Sequence, residues 1–251
     1  MSEKQWGDYE LVVNGLPQKI QYNKDTVEQL FLPLLEKLIL LRKKKNQRVI
    51  MFLVAPPATG KSTLTLFLEQ LSKERFDNAT VQAIGLDGFH YHTTFIKSHS
   101  VLRDGKTIPM SEVKGCPETY DTEKLYDKLS ALQSEDVLWP IYDRNLHDVI
   151  DDVQKVNGDI VLLEGNWLLL KDKAWRSMRR FADYTLLIRA NQELLRHRLI
   201  ERKVQGGMGK EEAERFYEKS DRFNVERTLR DSEKADETWL MLPDNDYQKI
   251  E

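Results

Sequence analysis

Val49-Ile-Met-Phe-Leu-Val54 runs directly into Ala55-Pro-Pro-Ala-Thr-Gly60-Lys61-Ser62, and this stretch decides how the chain is read. The first part is an unbroken apolar run, the pattern of a strand buried on both faces. The prolines and glycine that follow end the strand, and Lys61 opens a helical pattern reaching about residue 74. In a strand–loop–helix of this kind, backbone N–H groups turn inward onto phosphate oxygens, and the helix N-terminus adds positive potential. Lys61 would reach the β- and γ-phosphates of a nucleotide, and the Ser62 hydroxyl would ligate Mg²⁺. Ala58, Thr59, Gly60 and Thr63 complete the expected cradle. Ala55 stands where the pattern usually has its first glycine, so a negative φ and a slightly different angle of approach are expected there.

Outward from this loop, 79–86, 160–163, 184–188 and 238–242 read as further buried strands. Helical patterns occupy 122–132, 172–181, 192–204 and 210–222. Strands alternating with helices imply an α/β protein of the P-loop NTPase fold, a parallel β-sheet flanked by helices on both faces. The range 91–120 has little periodicity and reads as a long loop, a substrate-side flap. Ahead of the loop, 11–20 carries Asn14-Gly15 between two β-prone runs and predicts a hairpin. Asp25 or Thr26 could cap a helix to about residue 44. Residues 1–46 therefore read as a hairpin-and-helix extension and 47–251 as a single nucleotide-binding domain. The extension holds no motif; it is expected to pack on the sheet edge or to form a homodimer contact.

Bulk properties narrow the class. The chain has 251 residues, 40% hydrophobic and 31% charged, enough for one sizeable core. A net charge of −3 argues against a general nucleic-acid binder. The lone Cys116 can form no internal disulfide, which fits a reducing cytoplasmic setting. The start, 1–9, does not read as a secretory signal, and no apolar run is long enough to span a bilayer, so no membrane contact is expected. The basic run 42–45 reads as cations closing a helix.

Two carboxylates fall where strand ends should deliver them, Asp87 after the second strand run and Glu164 after the third. An alcohol attacking a γ-phosphate needs a proton acceptor, and Asp87 is assigned that role; its ordinary acidity suffices where the transition state is loose. Glu164 reads as the acid holding Mg²⁺. The basic helix at 192–204, with Arg196, Arg198 and Arg202 and glycines beyond it, predicts an arginine-bearing helical lid spanning about 192–222. Arg202 is assigned to the transferring phosphate and Arg198 to the nucleotide. His90, His92, His99 and His147 show no metal-ligand spacing.

Several segments together resemble one known family. They are Gly60-Lys-Ser62, Asp87-Gly-Phe89, Lys114-Gly-Cys-Pro-Glu-Thr-Tyr-Asp121, Pro140-Ile-Tyr142 with Asp148-Val-Ile150, and Leu163-Glu-Gly165. From about Val49 to Leu242 the chain is similar to the P-loop kinases comprising uridine kinase, phosphoribulokinase and type I pantothenate kinase. The resemblance implies a P-loop kinase domain at 47–251, ATP and Mg²⁺ as cofactors, Asp87 as base, and Lys61 and Ser62 on nucleotide and metal. It further implies an acceptor site including Phe89, His90, Tyr142, Arg144, His147 and Asn224. The acceptor motifs match neither pocket in full. Arg144 replaces the histidine of the pantothenate kinase tyrosine–serine–histidine run, and Gly115 replaces the sugar-binding aspartate of uridine kinase. The expectation is thus an uncharacterised branch that phosphorylates a sugar, nucleoside or pantothenate-like alcohol. Pantothenate kinase proper is one alternative; a regulatory NTPase switch, which would need no acceptor pocket, is the alternative from another class.

Overall fold

The computed structural model describes residues 4–13, 16–103 and 105–250. The Asn14-Gly15 turn lies outside them. On either side of it β1 (Trp6–Val13) pairs antiparallel with β2 (Leu16–Asn23). Asn23 then caps α1 (Lys24–Thr26), accepting from the Asp25 amide at 3.2 Å. That helix continues through a π turn (Val27–Phe31) into α2 (Leu32–Lys45), which ends at Asn46 in the left-handed region, φ 52°.

The chain then enters the centre of the sheet at β3 (Val49–Val54) and leaves it through α3 (Lys61–Arg75). β4 (Val81–Gly85) follows, then a 3₁₀ turn (Leu86–Phe89), α4 (Thr93–Ser98), and a hairpin of β5 (Ser100–Arg103) and β6 (Lys106–Pro109). α5 (Thr122–Leu132) leads to a second hairpin, β7 (Val137–Asp143) with β8 (Asp148–Val156), and on to β9 (Ile160–Gly165). α6 (Lys173–Arg176) and a 3₁₀ turn (Ser177–Phe181) precede β10 (Tyr184–Ala190). The lid is α7 (Gln192–Gln205), α8 (Lys210–Phe216), a π turn (Tyr217–Asp221) and α9 (Arg222–Asp231). β11 (Glu237–Met241) and β12 (Tyr247–Lys249) complete the sheet.

The sheet order is β12-β11-β10-β3-β9-β4, parallel except at β12. Period-2 alternation divides the central strands between two cores. Val49, Met51 and Leu53 pack with α2, α3 and α7, while Ile50, Phe52 and Val54 pack with α5 and the tryptophans Trp139, Trp167 and Trp175. The N-terminal extension joins the first core: the Tyr22 ring lies 4.5 Å from Phe67 and 5.2 Å from Phe31. Asp246, before β12, accepts from Asn23 at 3.0 Å and Thr26 at 2.5 Å, tying the extension to the far edge of the sheet.

Five differences from the sequence reading stand out. The sheet has an antiparallel edge strand, β12, whose three residues are too few to show a pattern. The range 91–120 is not a bare loop; it holds α4, the β5–β6 hairpin and two 3₁₀ turns over a small core of Ile96, Val101, Met110, Val113 and Cys116. The range 172–181 holds only one helical turn before a 3₁₀ turn, and the helix read at 210–222 runs on to Asp231 through the π turn. Residues 137–156 form a long hairpin that the alternation of Val137–Asp143, interrupted by Pro140, did not reveal.

Candidate active site

The loop between β3 and α3 carries its curvature at two positions, Ala58 at φ 67° and Gly60 at φ 79°. Ala55 is fully buried with an ordinary φ, so the missing first glycine costs the loop nothing. Left-handed geometry is uncommon for a residue with a Cβ, and the surroundings hold it in place. Arg198 Nη1 donates to the Ala58 carbonyl at 3.0 Å, Thr59 Oγ1 to the Pro56 carbonyl at 2.9 Å, and the Tyr247 hydroxyl to the Thr59 carbonyl at 3.3 Å. A turn of this kind at the start of α3 is where backbone amides can receive an anion.

Ser62 Oγ donates to Glu164 Oε1 at 2.5 Å, and Lys61 Nζ lies 3.9 Å from Glu164 Oε2. A hydroxyl and a buried carboxylate are the hard oxygen donors that suit Mg²⁺. Burial pushes the Glu164 carboxyl up and Asp87 adds to the rise, with Lys61 opposing both. A divalent cation between them would reverse that cost.

Asp87 sits in the 3₁₀ turn after β4, deep among protein atoms, with its carboxylate surface open to the cleft. Burial would raise its pKa; the fields of His90 and Lys61, the 3.2 Å hydrogen bond from the Tyr120 hydroxyl, and Arg144 together outweigh burial and hold it below the ordinary carboxylate range. His90 is itself held down by burial, with Asp87 opposing that shift. Gly88 makes this placement feasible. A Cβ there would lie 2.0 Å from the Pro140 carbonyl, so β7 can cross the turn only over a glycine.

Lys61, Ser62, Asp87, His90, Tyr142, Arg144, His147, Arg198, Arg202 and Asn224 all line one cleft of about 810 Å³, with Ala58, Gly60 and Thr63 on its floor. Phe89 does not reach it; it is 1% exposed and packs edge-on to Trp139, with ring centroids 4.8 Å apart. Thr59 is likewise turned inward. The His90 ring lies against Tyr120 at 3.9 Å. His92 bonds Asp151 at 3.0 Å and His99 stacks on Phe95 at 3.6 Å, both outside the cleft.

Tyr120, Lys114, Asn166, Lys203 and Asp221 also line the cleft and were not singled out from sequence. Tyr120 had a local signal: Asp121 beside it caps α5, accepting from the Lys124 amide at 2.9 Å, which fixes the tyrosine just before a helix start. Asn166 follows Glu164-Gly165 directly. Lys114 heads the 114–121 segment that carries the family resemblance, though no role was assigned to it there; Asp221 had no signal apart from the tertiary fold. A second hollow of about 570 Å³ adjoins the phosphate loop on its other side. It is lined by Thr59, Gly60, Thr63 and Arg198 and walled by Trp6 and Tyr22 of the hairpin and by Asn245 and Tyr247.

No protein-family model matches the chain. The uncharacterized protein YggC of Escherichia coli (strain K12) is 40% identical over 227 residues, 90% of this chain and 92% of that protein. The "Putative uridine kinase C227.14" of Schizosaccharomyces pombe is 27% identical over 187 residues, 72% of this chain and 77% of that protein. The chain spans 46% of the length of a matching pantothenate kinase from Enterococcus faecalis. Among solved structures, the "putative fructose transport system kinase" of Silicibacter sp. TM1040 superposes with a TM-score of 0.67 at 25% identity, over 80% of this chain and 98% of that one. No helix among the described residues is long and apolar enough to cross a membrane.

Proposed function

The chain belongs to the P-loop small-molecule kinases that include uridine kinase, phosphoribulokinase and pantothenate kinase, in an uncharacterised branch of that family, and from this membership we propose that it moves the γ-phosphate of ATP to a hydroxyl of a small molecule bound beside Asp87. One observation carries the reading: Asp87 opens onto the same cleft as Lys61 and Ser62, from a neighbouring strand end. A switch that gives phosphate only to water has no use for such a cleft.

In this reading the triphosphate lies on the loop amides at the head of α3, with Lys61 on its β- and γ-oxygens. Ser62 and Glu164 would hold Mg²⁺, which would neutralise phosphate charge. The acceptor oxygen bonds to the γ-phosphorus as the bond from that phosphorus to the β–γ bridging oxygen breaks. ADP leaves with the electron pair, and the hydroxyl proton passes to Asp87 late in the step. Arg202, carried by the lid, neutralises the charge in transit. The nucleoside half occupies the hollow beside Trp6 and Tyr22, so 1–46 completes the nucleotide site of the single kinase domain 47–251. Arg198 holds the loop curved through the Ala58 carbonyl.

The test is ATP consumption alone and with a panel of pantothenate, nucleosides, sugars and sugar phosphates. Acceptor-dependent turnover is expected, and Asp87→Asn is expected to lower it on the order of a hundredfold or more while leaving ATP binding intact. Hydrolysis that ignores every acceptor and survives Asp87→Asn would refute the kinase reading.

A further inference from the structure

Resting on the kinase reading for its acceptor, the inference here concerns what that acceptor carries. Across most of the molecule, cations meet carboxylates. Arg227 bonds Glu118 at 2.7 Å and also reaches Asp172; Lys45 bonds Asp183 at 2.7 Å; on the lid, Lys203 lies 3.4 Å from Asp221. The acceptor side of the cleft differs. Among the described residues, no carboxylate lies within ion-pair distance of Lys114, Arg144 or Arg202, although all three line the same cavity.

Lys114 has only neutral partners, the Tyr142 hydroxyl at 3.0 Å and the His147 carbonyl at 3.2 Å, with its ammonium 4.8 Å from the centre of the Tyr142 ring. Arg144 sits in the turn of the β7–β8 hairpin and makes no hydrogen bond to any described residue. The nearby Asp143 does not serve it, because its Oδ1 accepts from the amides of Asn145 at 2.7 Å and Leu146 at 2.9 Å and closes the turn. Arg202 is exposed to the cleft, yet burial of its head group pushes its pKa down; Asp221 and Asp87 oppose that shift, and the like charge of Arg144 adds to it. Cations with no carboxylate at ion-pair distance can give charge-assisted hydrogen bonds to an incoming anion.

A second observation concerns hydrogen-bond acceptors rather than charge. The buried side-chain oxygen Asn166 Oδ1 has no hydrogen-bond partner, and Asn166 lines this cavity. Buried acceptors left without donors call for donors from outside. From these two observations we infer that the acceptor is a polyhydroxylated anion, its carboxylate or phosphate held by Arg144 and Lys114 and a spare hydroxyl donated to Asn166 Oδ1. Asp87 is then left for the hydroxyl that reacts.

Matched pairs of acceptors test this: ribose with ribose 5-phosphate, glycerol with glycerate, erythritol with erythronate. The charged member is expected to have a kcat/KM at least about tenfold higher than its neutral partner. The phosphate and carboxylate pairs together show which anion is preferred. Arg144→Gln and Lys114→Met should each raise the KM of the charged acceptor about tenfold, with the KM for ATP unchanged and the gap within each pair narrowed. Equal use of neutral and charged members, or a rise in the KM for ATP alone, would overturn the inference and leave the kinase reading standing.

A binding arm covers the case in which no acceptor turns over. With the phosphate loop saturated by a non-hydrolysable ATP analogue and Mg²⁺, inorganic phosphate should still raise the melting temperature relative to chloride at equal ionic strength. That rise should vanish in the Arg144→Gln, Lys114→Met double variant, whose ligand-free melting temperature reports whether it has folded. A persistent rise without turnover would count against the kinase reading while supporting the anion site; no rise with phosphate would overturn the site itself.

Discussion

The two walls of the cleft are built in different ways. The nucleotide wall is one loop and two strand ends, carried on β3, β9 and β4, whose side chains make up both cores. The acceptor wall is assembled from short pieces: the 3₁₀ turns near 110–120, the turn of the β7–β8 hairpin, and α9. Ion pairs and hydrogen bonds hold it together. Arg103 reaches Glu118 at 3.5 Å, Arg227 bonds the same carboxylate, and Asp151 ties β8 to Lys124 and His92. Under the proposed kinase reading, chemistry that must be placed to within a fraction of an ångström would sit on the sheet, and recognition on elements that can change without disturbing a core.

That contrast can be broken most decisively at Lys61. Lys61→Ala should lower kcat/KM on the order of a thousandfold and weaken ATP binding as well, because the lysine acts on the nucleotide wall alone. A variant that bound ATP normally and lost only acceptor affinity would dissolve the distinction between the walls. Gly88→Ala attacks the joint between them. The 2.0 Å contact with the Pro140 carbonyl cannot relax through a side chain, so a loss of about 3 kcal/mol or more is expected, read as a lower melting temperature.

Tyr120→Phe should have a smaller effect, about tenfold on kcat, and an informative pH signature. In its proposed role as base Asp87 would act only when ionised, so turnover should be lost as pH falls through its depressed pKa. Removing the Tyr120 hydrogen bond removes one of the groups that lower that pKa, so the acid limb of the kcat profile should move to higher pH. An unmoved limb would mean that Tyr120 does not act on the base. The smallest effect on chemistry is expected at Glu237, beneath the nucleotide wall. Burial opposes its ionisation, but hydrogen bonds from Lys37, Trp239, Tyr184 and Lys249 hold its pKa at about 2, against an ordinary 4.5. The stabilisation is fully present above about pH 4.5 and is lost as pH falls toward about 2. Glu237→Gln should flatten the melting-temperature profile across that window and leave kcat at neutral pH unchanged.

What could be read along the chain was what is local. The phosphate loop needed only a strand, a turn and a helix in succession, and Asp87 and Glu164 needed only their positions at the ends of apolar runs. Residues 91–120 were unreadable for the opposite reason. The side chains of their small core, from Ile96 to Cys116, follow neither a helix nor a strand period, and the segment takes shape only where it packs on β8, Trp167 and the lid. Phe89 followed Asp87 in a motif that pointed to the cleft, yet its ring went to the core, since a 3₁₀ turn directs successive side chains to different sides.

Sequence alone determined the class of protein and the nucleotide wall, because backbone amides at a helix start and carboxylates at strand ends are set by neighbours in the chain. Only the tertiary structure decided which cations lack a counter-ion, that Tyr120 reaches Asp87, and that the N-terminal hairpin borders the phosphate loop. Those facts depend on distances between residues far apart in the chain, and charge and hydrogen-bond balance exist only once such residues have been brought together.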